Sequence, residues 1–152
     1  MRFIYADNAA TTRLSDTALK AMLPYLREEY GNASTLYKLG RSAHNAVASA
    51  RRTFADGIQA IPAEIFFTSG GTESDNWAIK GTAHRLARLG KRHIVTDNIE
   101  HHAVLNSVSA LAREGFEITY VKADADGVVP PQAVRAAIRP DTALVSVMFA
   151  NN

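Results

Sequence analysis

Apolar positions along the chain follow two periods, and their alternation predicts the architecture. From Ser15 to about Glu29, Leu19, Met22, Leu23 and Leu26 recur at helical spacing, with Pro24 predicting a bend. A dense loop signal follows at Gly31-Asn32-Ala33-Ser34-Thr35. A second helix is predicted from about Arg41 to Ile58, with Ala43, Ala46, Val47, Ala50 and Phe54 on its apolar face. Glu64–Thr68 reads as a short buried strand. Beyond it come a helix over Glu73–Leu89 closed by Gly90, a strand over His93–Thr96, and a helix over His102–Arg113 with Val104, Val108 and Leu111 inward, capped by Gly115. A strand over Glu117–Val121, a helix over Pro131–Ile138 and a strand over Ala143–Phe149 complete the pattern. Strands alternating with helices predict an α/β fold of three layers, a mostly parallel sheet with helices on both faces. The last strand, close to Asn151-Asn152, reads either as part of a truncated α/β unit or as an edge strand closing a small sheet.

In such sheets ligands sit at the carboxyl ends of the strands, so the loops after strands are where chemistry is expected. In Ser69-Gly70-Gly71-Thr72 two glycines turn the chain into a helix. Glycines let backbone N–H groups approach a ligand, and the helix start adds partial positive charge, a combination suited to an anion. The alternative is a simply capped helix, with Thr72 and Asp75 at capping-box spacing and Glu73 complementing the dipole. The segment is neither a Walker loop nor G-x-G-x-x-G. His101, after the next strand, offers an imidazole for stacking or proton transfer over the same edge, or is only a polar loop residue. His102 is expected to open the following helix, and His44, His84 and His93 to be structural or solvated. Asn151-Asn152 offers donors and acceptors at the same edge, or a plain turn. Asp7-Asn8-Ala9-Ala10-Thr11-Thr12 reads locally as an ordinary small polar loop.

Composition narrows the function classes. The 152 residues are 47% hydrophobic and 21% charged with a net charge of +2, ordinary for a soluble globular domain. The basic residues are scattered in local pairs, which gives no case for nucleic acid. No apolar run reaches the roughly 20 residues of a membrane span, and Asp7 comes too early for a signal peptide, so a cytoplasmic protein is expected. The absence of cysteine removes disulfides and thiolate metal sites, and no histidine pair has helical metal-site spacing; no metal is expected.

Five blocks, in order, resemble the cysteine desulfurases, the pyridoxal-phosphate enzymes of the class V aminotransferase group. They are Tyr5-Ala6-Asp7-Asn8-Ala9-Ala10-Thr11-Thr12, Tyr30-Gly31-Asn32-Ala33-Ser34, Phe67-Thr68-Ser69-Gly70-Gly71-Thr72-Glu73-Ser74-Asp75-Asn76 with Ala78-Ile79-Lys80-Gly81, Glu100-His101 with Ala103-Val104-Leu105, and Val145 to Asn152. The resemblance implies that residues 1–14 belong to the small-domain edge of the pocket and 15–152 to the N-terminal part of the cofactor-binding large domain. It implies that Gly71 and Thr72 hold the phosphate of pyridoxal 5'-phosphate, that His101 stacks on the pyridine ring and moves protons, and that Asn152 lies near the ring's phenolic oxygen. Asn8, Ala9 and Ala10 would help line the substrate pocket. The implied reaction converts L-cysteine to L-alanine and passes sulfur to an enzyme cysteine, for iron–sulfur clusters or another sulfur-acceptor protein, in a homodimer. Related class V activities, selenocysteine lyase or aminotransferase, and a catalytically inactive α/β fragment are the alternatives. Tyr37 stands where many members carry a histidine, a departure in that loop. The family's Schiff-base lysine, the aspartate facing the pyridine nitrogen, a glutamine and the persulfide cysteine all fall later than Asn152. Lys20, Lys38, Lys80, Lys91 and Lys122 match none of them, so the 152-residue chain by itself is expected to be inactive.

Overall fold

The structure, a computed structural model, describes residues 3–8 and 10–151. They divide into two compact units, Met1–Phe67 and Thr68–Asn152.

The first unit holds helices α1 (Asp16–Arg27) and α2 (Lys38–Gly57) and a 3-10 turn at Pro62–Glu64. Ser15 caps α1 by accepting the Ala18 N–H at 3.1 Å, while Asp16 and Arg27 complement the two ends of its dipole. The expected stripe of Leu19, Met22, Leu23 and Leu26 is present but stays 41–66% exposed. Among the described residues of this unit only Gly40 and Ala55 are buried, so the unit by itself provides no core to receive the stripe. The strand expected over Glu64–Thr68 does not form. Glu64 turns back to accept the Ile61 N–H at 3.0 Å, and residues 65–68 join no ladder. A strand exists only beside another backbone, and among the described residues none runs alongside. Instead the Ile65 carbonyl accepts from Arg51 Nε at 3.1 Å, and Phe67 meets Phe54 edge to face at 5.9 Å.

The second unit alternates regularly: α3 (Gly71–Ala87), β1 (His93–Asp97), α4 (His102–Arg113), β2 (Glu117–Val121), α5 (Pro131–Ala137) and β3 (Thr142–Val145). The expected α/β sheet is formed, all parallel, in the order β2-β1-β3. Every residue of β1 is buried, as befits a central strand covered on both faces. Gly90 (φ 78°) and Gly115 (φ 90°) supply the left-handed residues that end α3 and α4. One face of the sheet carries the core of Ile79, Ala83, Ile94, Val104, Val108, Leu111 and Phe116, each large side chain contributing roughly 1.5–3 kcal/mol on burial. By the right-handed rule for crossovers between parallel strands, α4 and α5 fall on opposite faces, because β1 to β2 steps one way across the sheet and β2 to β3 steps back past it. The direction of winding therefore changes between β1 and β3.

The expected last strand is shorter than its apolar run. β3 ends at Val145 rather than Phe149; Ser146 still donates its N–H to the Val95 carbonyl at 2.9 Å, but the Met148 N–H goes to a side chain, Asp97 Oδ2, at 3.1 Å.

Candidate functional site

The start of α3 is built from the glycine turn. Gly70 is its N-cap, and Gly71 and Thr72 are its first residues. The N–H groups of Gly71, Thr72 and Glu73 and the Thr72 hydroxyl have no partner among the described residues. A Cβ built on Gly70 or Gly71 would meet nothing within 4 Å, so the approach to these donors is open. The capping contact is not the expected Thr72–Asp75 pair. Glu73 reaches back instead, its Oε2 accepting the Ser69 N–H at 2.6 Å and the Ser69 hydroxyl at 2.7 Å. These bonds, the backbone one first, hold the Glu73 carboxyl below its usual range. Its charge is directed at the preceding turn, leaving the first N–H groups of the helix to another acceptor. Thr68 and Ser74 close the turn, hydroxyl to hydroxyl at 2.7 Å.

His101 is the N-cap of α4. Its Nδ1 accepts the Ala103 N–H at 3.1 Å, which requires an unprotonated Nδ1 and leaves the ring's hydrogen on Nε2. The imidazole is exposed, with Nε2–H free of the cap. Behind it sit two buried carboxyls. Asp97 accepts from the N–H groups of Ile99 (2.9 Å) and Met148 (3.1 Å). Glu100, only 7% exposed, accepts the Ser146 hydroxyl at 2.8 Å. Burial pushes the Glu100 carboxyl above its usual range, the Ser146 bond opposes this, and the neighbouring charges of Asp97 and Asp75 push it further up. The Thr96 hydroxyl, fully buried, has no partner among the described residues.

α3 precedes β1 and runs antiparallel to it, so Gly71 and Thr72 lie at the carboxyl edge of the sheet, the edge that also carries His101 and residues 146–151. The electrostatic coupling of Asp75 in α3 to Glu100 accords with this. Gly71, Thr72 and His101 thus share the carboxyl edge of the sheet, and α/β sheets bind ligands at that edge, at a switch point such as the one between β1 and β3. Asn8 and Ala10 belong to the first unit and are exposed. Ala9 and Asn152 lie outside the described residues. Asn151 donates from Nδ2 to the Ile99 carbonyl at 2.6 Å. Sequence reasoning singled out Glu100 only as the neighbour of His101 and gave Asp97 no role; the partners that tie them to the segment after β3, Ser146 and Met148, lie 46 and 51 residues away.

Among the histidines expected to be structural, His93 is fully buried between the hydroxyls of Thr142 and Thr119, each at 2.8 Å, and His84 pairs with Glu114 at 2.7 Å. Among the described residues no helix is long and apolar enough to cross a membrane.

The model of the aminotransferase class V family matches residues 4–152, and the chain belongs to that family. It is 51% identical over 149 residues to the cysteine desulfurase IscS of Methanosarcina thermophila, covering 98% of this chain and 37% of that protein. It is 46% identical to the putative cysteine desulfurase IscS 1 of Bacillus subtilis, over 100% of this chain and 40% of the relative. Among solved structures, a NifS-like protein superposes with a TM-score of 0.90 at 41% identity, over 95% of this chain and 40% of that one. SspA in complex with cysteine gives 0.86 at 40% identity, over 94% and 41%. The chain thus spans about two-fifths of the length of the relatives it matches. The cofactor of this family is pyridoxal 5'-phosphate. The donors open at the start of α3, three N–H groups and a hydroxyl, are the chemistry a phosphate requires.

Proposed function

We propose that the chain forms part of the cofactor and substrate site of a pyridoxal-phosphate-dependent cysteine desulfurase, which converts L-cysteine to L-alanine and leaves the sulfur as a persulfide on an enzyme cysteine. The observation that carries this reading is the pairing, on one sheet edge, of an open donor set at the start of α3 with an imidazole whose Nε2–H is free. When bound, the cofactor supplies an electron sink for bonds at the substrate's α-carbon. Gly71 and Thr72 would hold its phosphate through their N–H groups and the Thr72 hydroxyl. His101, fixed through Nδ1 on Ala103, would present its ring to the pyridine face and move a proton at Nε2. Asn152 would meet the phenolic oxygen, and Asn8, Ala9 and Ala10 would line the substrate side from the segment 1–14. The complete enzyme would act in the cytoplasm as a homodimer and pass sulfur to an acceptor protein, including for iron–sulfur clusters. The lysine that binds the cofactor covalently and the persulfide cysteine are not among these residues, so this chain alone would not turn over cysteine.

The test is a titration of the isotope-labelled chain with pyridoxal phosphate, followed by amide NMR. The N–H signals of Gly71, Thr72 and Glu73 are expected to move with pyridoxal phosphate and not with pyridoxal. Equal responses to the two compounds would remove the phosphate assignment.

A further inference from the structure

After Ser146 the chain leaves the β1–β3 ladder, yet residues 146–151 remain tied to the loop that follows β1. The ties are side chains. Glu100 accepts the Ser146 hydroxyl at 2.8 Å. Asp97 accepts the Met148 N–H at 3.1 Å through one oxygen and the Ile99 N–H at 2.9 Å through the other. Asn151 returns a bond from its amide to the Ile99 carbonyl at 2.6 Å. Burying carboxyls this close together opposes folding unless their acceptor capacity is used, and here both oxygens of Asp97 and one of Glu100 have partners. The Asp97–Ile99 bond bends the chain directly after β1, which tucks Glu100 inward and leaves His101, the next residue, at the N-cap of α4.

We propose that Asp97 and Glu100 are positioning residues: they lace the loop 97–101 to the segment 146–151, and so hold His101 in a fixed relation to Asn151. The inference rests on the functional reading of His101 above, but the lacing is measurable without cofactor. The chemistry makes the two positions unequal. Glutamine at 100 can still accept from Ser146, so Glu100→Gln preserves the tie. Asparagine at 97 has one acceptor oxygen for two N–H donors and turns an amide NH2 toward one of them, so Asp97→Asn breaks a tie.

Hydrogen exchange and imidazole nitrogen NMR on the 152-residue chain test this. In Asp97→Ala, which removes both acceptors, the Met148 amide is expected to exchange at least about tenfold faster, while the Ile94 and Val108 amides of the core keep their protection. In Glu100→Ala and in Ser146→Ala the amides of 148–151 speed up together, and His101 loses its single Nε2–H tautomer. Glu100→Gln stays within about twofold of the unsubstituted chain on both readouts. Should Glu100→Ala unfold the protein, Ser146→Ala, a smaller change on the partner side of the same bond, decides. Unchanged exchange at Met148 in Asp97→Ala, or a Glu100→Gln chain as loose as Ser146→Ala, overturns the proposal. Either result leaves the cofactor titration intact, whereas a failed titration leaves the lacing data intact, so the two readings fail separately.

Discussion

A Cβ built on Gly40 would overlap Thr35 Oγ1 and lie 2.5 Å from the Thr35 carbonyl oxygen, whereas one on Gly71 meets nothing within 4 Å. The first glycine is therefore required by packing. The second is not: it is the first residue of α3, where alanine is the better helix former by roughly 0.5–1 kcal/mol. A position that gives up helix stability to stay open is what an approaching ligand would need. Gly40→Ala is expected to cost about 1–3 kcal/mol in a denaturant melt through overpacking against backbone. Gly71→Ala is expected to leave the melt unchanged or improve it, while weakening pyridoxal phosphate at the start of α3 by about tenfold. A Gly71→Ala chain that binds the cofactor as well as the unsubstituted one would end the argument for a kept-open approach. Local chemistry made this turn and His101 legible in the sequence, because both depend on what stands within a few residues of a strand or helix end. The capping partner was not, since Glu73 with Ser69 and Asp75 with Thr72 are both plausible on spacing, and only the path of the turn selects the first.

Elements whose form is set locally were equally legible. α4 and β2 fall on their predicted bounds, and α3 and β1 within two residues of them. The two errors are both in strands and share a cause: an apolar run specifies a strand only if a neighbour's backbone is there to pair with it. Residues 65–68 have none among those described, and β3 loses its ladder where Asp97 takes the Met148 N–H. The other element-scale consequence concerns β1. His93 opens the strand, buried, with each ring nitrogen on a threonine hydroxyl of a flanking strand. Burial first, then the Arg139 charge, pulls its pKa below the ordinary 6.5, with Asp141 and Glu117 opposing. A histidine held neutral in the fold but free to charge when unfolded gives stability that is complete above pH 6.5 and declines as pH falls toward the lowered value. Glu100 acts in the opposite sense, because its raised carboxyl favours the fold at lower pH, so the total slope mixes the two. His93→Gln keeps hydrogen-bonding capacity and does not titrate. The stability advantage of the unsubstituted chain over His93→Gln, from urea melts, is therefore expected to hold from pH 7.5 to about 6.5 and to shrink as pH falls below it. A difference independent of pH would show that His93 charges as readily in the fold as outside it.

On the scale of the whole molecule, the proposed function gives this chain one edge of a cofactor site and assigns none of its lysines the covalent role. Its five lysines are spread over both units. Lys20 and Lys38 belong to the first unit; in the second, Lys80 lies in the middle of α3 and Lys91 at the amino end of β1, both away from the carboxyl edge. Lys122 alone follows a strand's carboxyl end, and that strand is β2, on the far side of β1 from the switch point beside β3. Neither the loop 97–101 nor the segment 146–151 contains a lysine. Under the proposed function, phosphate contacts and a stacked imidazole would hold a ligand here only reversibly. Borohydride reduction in the presence of pyridoxal phosphate, followed by peptide mass mapping, is expected to spread a low level of label over several lysines with none taking the bulk of it. Pyridoxal in place of the phosphate ester should give the same spread, because no lysine of the second unit is placed by the donors of α3. Concentration of the label on Lys122, and only with the phosphate ester, would mean that the cofactor lies across β1 toward β2. The switch point between β1 and β3 would then be the wrong place for it.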